Sequence, residues 1–165
     1  MDREQLRAVQ APLKDAYRDD AGRALVVLRA EGDLGAGQTC SVQTGRALVE
    51  AGLHPATGGD GSFACSGDML LQALVACAGV TMRSVATSMD ISVTGTVRAE
   101  GDLDFRGTLG VDKSVPVGFG AIRLVFDIDT DGDDEQRATL LRLTERYCVV
   151  LQTLLSSPPV TATMS

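Results

Sequence analysis

The chain predicts an α+β fold, and three observations support that: two long apolar helical patterns, strands that alternate apolar and polar residues, and the order of these elements. The order runs helix, strands, helix, strands, helix, strand. Neighbouring strands are close enough in the chain to pair as antiparallel hairpins, which argues against a doubly wound parallel sheet. No linker or internal repeat divides the sequence, so residues 1–165 are read as a single domain long enough to bury a core.

The opening "MDREQLRAVQAPLKDAYRDD" is charged and places Leu6, Val9, Leu13, Ala16 and Tyr17 at helical spacing, interrupted by Pro12. Residues 1–21 are therefore read as an N-terminal helical extension. "RALVVLRAEGD" reads as a strand, "GDLGAG" as a turn and "QTCSVQTG" as a second strand. "RALVEAGLHPATGGDGSFACSGD" ends in a glycine-rich loop that carries the only histidine, His54, with Asp60 at a turn.

From Asp68 to Met89 the pattern is helical. Met69, Leu70, Ala73, Leu74, Cys77, Val80 and Ser84 fall on one stripe, Ser66 is placed to cap, and Asp68 sits where the helix dipole favours an anion. Ile91, Val93, Val97 and Ala99 then alternate as on a half-buried strand, and Ile122, Leu124, Phe126 and Ile128 do so again. Asp133 or Asp134 caps the next helix, whose face is lined by Leu140, Thr144, Tyr147, Cys148, Leu151, Leu154 and Leu155. "SSPP" ends it, and "VTATM" would close the sheet as a final short strand.

Composition excludes several function classes. Hydrophobic residues make up 44%, as in a globular chain, while aromatics are only 4%. A formal net charge of −7 repels phosphate backbones, so no nucleic-acid partner is expected. No apolar run is read as long enough to span a bilayer, and "MDREQLRAVQ" lacks a signal-peptide core, so the expected location is cytoplasmic, with no membrane partner. "DIDTDGDDE" fails the EF-hand spacing, because no glutamate follows at the required distance.

The chemistry rests on cysteine. Cys40, Cys65, Cys77 and Cys148 contain no C-x-x-C pair, so neither a thioredoxin nor a zinc-ribbon signature is present. The spacing of Cys40, His54 and Cys65 matches no zinc template, and no metal is expected. Cys77 lies mid-helix, several turns from its own helix N-terminus, so that dipole will not ionise it. Activation would need an arginine brought in by folding. Arg29 and Arg46 are candidates that the residues alone do not separate, and Arg83, six positions along and off the Cys77 face, is the poorest. The plain alternative is that Cys77 and Cys148 are small core residues.

The linked runs "DMLLQALVACAGVTMRSVA", "DISVTGTVRAEGDLDFRGTLG", "VPVGFGAIRLVFDI" and "LLRLTERYCVVLQTLL" resemble the OsmC/Ohr family, in the family's own order. The resemblance covers roughly residues 22–165 and implies a sandwich in which antiparallel sheet surrounds two central helices, built as an intertwined homodimer. It implies a thiol peroxidase acting on organic or lipid hydroperoxides. Cys77 matches the attacking cysteine and Cys148 the resolving one, with a Cys77–Cys148 disulfide as product. No bound cofactor is implied; an external dithiol of lipoyl type would reset the pair.

Two departures stand out. Gly67 occupies the position where Ohr-type members carry a glutamate, with Asp68 the adjacent carboxylate, and Val149 follows the second cysteine where many members have proline. Arg29, by its place in the first strands, is the best match for the family's arginine. The chain thus falls in the broader OsmC-like branch. The alternative function is a non-catalytic protein of this fold that binds a hydrophobic ligand or senses oxidation, and a third reading has the thiols as core filler.

Overall fold

The computed structural model describes residues 2–5, 7, 8, 10, 11, 19, 32–34, 39–43, 48–110 and 112–164. Arg29, Arg46 and most of the expected first strand lie outside the described residues. Those described in the opening stretch, 3–5, 7, 8, 10 and 11, are helical.

Three short strands come first: β1 (Gly32–Leu34), β2 (Thr39–Gln43) and β3 (Leu48–Gly52). They pair antiparallel in chain order, with Gly32 opposite Val42 and Cys40 opposite Ala51. β3 was not expected; its run Leu48–Val49–Glu50–Ala51 reads equally as helix, and only pairing with β2 decides the matter. Helix α1 (Ser66–Met89) follows, then the paired strands β4 (Val93–Leu103) and β5 (Phe119–Thr130), then α2 (Asp134–Tyr147) and α3 (Val149–Ser156). The α+β class holds, with antiparallel sheet and helices.

The described residues fall into two compact units, one drawn from Met1–Gln10, Ala73–Arg98 and Leu124–Ser165, the other from Ala11–Gln72 and Ala99–Arg123. In the first, Met82, Val85 and Ala86 of α1 pack on Leu140 of α2, with Met89, Ile91, Val93, Phe126, Ile128 and Leu143 around them. Each large side chain buried there contributes about 1.5–3 kcal/mol. α1 ends where Asp90 turns left-handed at φ 61°, and the Ile91 N–H returns to the Ala86 carbonyl at 3.1 Å. The Ser92 N–H then donates to the Asp131 carboxylate at 2.8 Å and the Thr130 hydroxyl to the Ser92 carbonyl at 2.5 Å, tying the start of β4 to the end of β5.

In the second unit, β3 continues through the Gly52 N–H, which donates to the Ala64 carbonyl at 3.0 Å. His54 accepts the Ala56 N–H on Nδ1 at 3.0 Å and stacks on Phe105 with ring centroids 4.9 Å apart. The Ser62 N–H donates to Asp60 at 2.9 Å, the turn expected there.

Four expectations need correction. Ser66 is not the cap of α1: the Cys65 carbonyl accepts the Met69 N–H at 3.0 Å, which makes Ser66 the first helical residue. The buried face of α1 is Leu74, Ala78, Met82, Val85 and Ala86, while Val80, placed on the expected stripe, is 69% exposed. "VTATM" forms no strand; Val160 and Met164 are exposed and unpaired in any ladder among the described residues. Finally, α1 has 24 residues and a window of mean hydropathy 1.5, long and apolar enough to cross a membrane by length and composition. Gln72, Thr81, Arg83 and Ser84 break up that run to the eye without lowering its mean enough. Its C-terminal half packs Met82, Val85 and Ala86 on Leu140, with Phe126 beside them.

Candidate active site

Cys148 stands at a break between two helices. Its backbone is extended, at φ −73° and ψ 104°, so the single long helix expected through it is instead two. The Cys148 N–H donates to the Thr144 carbonyl at 3.0 Å and closes α2; the Cys148 carbonyl accepts the Gln152 N–H at 2.9 Å and opens α3. Leu140, Thr144 and Cys148 recur at steps of four and are all buried, Thr144 and Cys148 completely. The Cys148 side chain makes no capping hydrogen bond, which leaves the first turn of α3 without a side-chain cap.

α1 brings Cys77 to this break. The residue is half-buried at the edge of the face formed by Leu74, Ala78 and Val85. The groups that act on its ionisation are the main-chain N–H groups of Val150 and Val149, the Cys148 thiol, and Thr81 one turn further along α1. Both thiols are free.

The two sulfurs are pushed in opposite directions. Burial raises the Cys77 thiol, but the Val150 N–H, the Cys148 S–H, the Val149 N–H and the Thr81 hydroxyl together outweigh it and hold Cys77 below its ordinary value. For Cys148 burial again raises the thiol, the Leu151 N–H works the other way, and the neighbouring Cys77 sulfur adds to the rise, leaving it above its ordinary value. Cys77 therefore gives up its proton at lower pH than Cys148. That division of labour suits a nucleophile and a proton-bearing partner.

The remaining sequence candidates are placed as follows. Asp68 lies in the first turn of α1, where the helix dipole favours an anion. Arg83 is exposed, with its Nη1 on the Val93 carbonyl at 3.4 Å. His54 spends Nδ1 on a cap, and among the described residues no three His, Cys, Asp or Glu side chains are grouped to hold a metal. Cys65 is half-buried in the other unit, its Sγ beside Gly67, and Cys40 sits in β2 opposite Ala51. The backbone amides of Val149 and Val150 were missed, because nothing in "RYCVVLQ" marks a helix break. Thr81 had a signal, four positions beyond Cys77 on one helix face.

A family profile described as OsmC-like protein matches residues 59–163, more than half of the chain and the stretch that holds both thiols. The fold is thus that of an α+β protein of antiparallel sheet and helices, and the chain belongs to the OsmC-like protein family. Solved structures agree on the fold. An OsmC-like protein from Mycoplasma pneumoniae superposes with a TM-score of 0.65 at 15% identity, covering 79% of this chain and 88% of that one. A protein from Legionella pneumophila described as an organic hydroperoxide resistance protein OsmC gives 0.58 at 17% identity, covering 79% and 90%. The organic hydroperoxide resistance protein OhrB of Bacillus subtilis gives 0.51 at 17%, covering 78% and 90%. No curated protein matches the sequence.

Proposed function

We propose that the protein is a thiol peroxidase that reduces organic or lipid hydroperoxides with Cys77 and Cys148. The observation that carries this reading is the contact between a Cys77 thiol favouring ionisation and a Cys148 thiol favouring its proton. The Cys77 thiolate attacks the terminal oxygen of R–O–O–H, the O–O bond breaks, and the alkoxide leaves and takes up a proton as R–OH. Sulfur is oxidised by two electrons to the sulfenic acid as the peroxide is reduced. The Cys148 thiol then condenses with Cys77–SOH, forming the disulfide and releasing water, before overoxidation can occur. An external dithiol, of lipoyl type by family resemblance, would return both thiols by disulfide exchange.

Arg29 is proposed as the cation that activates Cys77 and Asp68 as the carboxylate next to Gly67 in the sequence, in a single-domain homodimer located in the cytoplasm. Support for a dimer comes from the exposed apolar surface of the first unit: Val80, Tyr147, Val149 and Leu155 are all more than half exposed.

The test is peptide mapping after one equivalent of cumene hydroperoxide. A Cys77–Cys148 bridge in wild type, with a trapped sulfenic acid at Cys77 in Cys148→Ser, is the expected result. If both thiols stay reduced while hydroperoxide persists, the enzyme reading falls. A second reading then takes its place, supported by an apolar cavity of about 380 Å³ lined by residues including Val75, Val80, Val93, Val97 and Ile128. That size suits a small hydrophobic ligand, and such binding should survive replacement of both cysteines.

A further inference from the structure

We infer that the apolar cavity lined by α1, β4 and β5 is a binding site for a fatty carboxylate, with the alkyl chain in the cavity and the carboxylate on the exposed Arg83 guanidinium. The inference names the ligand class for the ligand-binding reading of that cavity and rests on that reading. Neither thiol lines the cavity, so the peroxidase chemistry is not involved.

The wall sets the apolar part of the ligand. The cavity measures about 380 Å³ and is lined by aliphatic side chains, among them Val75, Val97 and Ile128. Such a wall favours an alkyl chain, each buried methylene adding to affinity, and gives a polar solute nothing to bond. Of the lining side chains only Arg83 and Thr94 carry an N–H or O–H donor.

Arg83 sets the polar end. It is the sole cation of the 24-residue helix α1, and among the described residues it pairs with no carboxylate. In the same unit Arg3 is matched with Asp90 at 3.8 Å and Arg98 with Asp127 at 3.6 Å. Arg83 instead places Nη1 on the Val93 carbonyl at 3.4 Å, which leaves Nε and Nη2 without a partner among the described residues. A guanidinium so placed can receive a carboxylate on two N–H groups. One cation matches one negative charge, and a chain of net charge −7 disfavours a dianion.

Gly79 keeps the space open. It lines the cavity from the middle of α1, where glycine is a poorer helix former than alanine. An added Cβ would meet nothing nearer than the Val97 Cγ2 at 4.0 Å, an ordinary contact. Close packing therefore does not demand glycine here, and a longer side chain at 79 would occupy the room that an alkyl chain needs.

The experiment is an NMR titration of the full chain, reduced and free of hydroperoxide, with octanoate and with 1-octanol as the uncharged counterpart. Octanoate should bind more tightly than octanol and shift the amides of Gly79, Val80 and Thr94. Hexanoate, two methylenes shorter, should bind roughly tenfold more weakly than octanoate. Arg83→Gln should weaken octanoate about tenfold and change octanol by less than about twofold, from loss of a charge-assisted bond. Gly79→Leu should abolish binding of both probes. Thermal melting establishes that the variants fold, and Arg83 is exposed, so its replacement spares the core. Octanol bound as tightly as octanoate, or Arg83→Gln weakening both alike, would overturn the inference and leave the ligand-binding reading standing. Octanoate still bound by a folded Gly79→Leu protein would overturn the placement in this cavity. If neither probe binds, as when a second copy of the chain covers the cavity, the inference and the ligand-binding reading fall together.

Discussion

The Cys148 N–H donates to the Thr144 carbonyl at 3.0 Å, so the bond that closes α2 is made by the same residue whose carbonyl opens α3. The Cys148 backbone is thereby held from both sides, in an extended conformation that neither helix would impose. An uninterrupted helix would have spent the amides of Val149 and Val150 on carbonyls one turn back. The break frees them at the point where Cys77 arrives.

The split between the two thiols predicts a pH order of reactivity. A folded Cys77 with a lowered pKa keeps its thiolate as pH falls below the range of an ordinary thiol, whereas Cys148, with a raised one, ionises only above that range. Alkylation followed by mass spectrometry should therefore show the Cys77 inflection below that of Cys148. In Cys148→Ala the S–H donor is gone, and the Cys77 inflection should rise toward the ordinary value. If it does not move, the contact between the thiols contributes nothing to ionisation.

Thr144 carries a second prediction. Its hydroxyl is buried without a partner, so replacing it by the isosteric valine removes a desolvated polar group and no hydrogen bond. Thr144→Val should leave stability unchanged or raise it by up to about 1 kcal/mol in denaturant unfolding. A clear loss would mean that the hydroxyl is bonded in solution.

What could be read in advance follows a physical division. Helices α1 and α2 and strands β4 and β5 announce themselves by periodicity, as Phe126 and Ile128 show in β5, but of the stripe read on α1 only Leu74 is on the buried face, with Ala78, Met82, Val85 and Ala86 beside it. Both thiols were placed by that pattern together with the family resemblance. The break at Cys148 was not legible, since Tyr147–Cys148–Val149 contains neither glycine nor proline. β3 was missed for a related reason, as its pairing with β2 is a long-range choice that five residues do not encode alone. Strand character for "VTATM" was overestimated, because alternation marks a strand only where a sheet edge is there to receive it.

The capping box at the head of α2 gives a third prediction. Asp133 accepts the Gln136 N–H at 2.8 Å, and the Gln136 side chain accepts the Asp133 N–H at 2.9 Å. Asp133→Ala removes the acceptor for an otherwise orphaned N–H and should lower stability by about 1 kcal/mol, while Asp133→Ser should recover most of it. Thermal unfolding of the three proteins decides the matter. Equal melting temperatures would mean that solvent caps the helix as well as Asp133 does.

The fourth prediction concerns Gly95 in β4. Its φ is +122°, a conformation L side chains rarely adopt, and an added Cβ would lie 2.1 Å from the Asp127 carbonyl oxygen and 3.0 Å from the Ile128 Cα. These are backbone atoms of β5, so no side-chain rotation relieves the overlap; the strands must part or the bend must straighten. Backbone strain and overpacking then add, and Gly95→Ala should cost on the order of 2–5 kcal/mol in urea unfolding. Gly118→Ala is the control, since an added Cβ there meets nothing within 4 Å and its φ is not positive; it should fall within about 0.5 kcal/mol of wild type. Should the two variants unfold alike, the close approach of β4 to β5 at Gly95 is wrong. A large loss confined to Gly95→Ala would show that the strand wall behind Val93 and Ile128, on which Met82 and Val85 of α1 pack, depends on that one missing side chain.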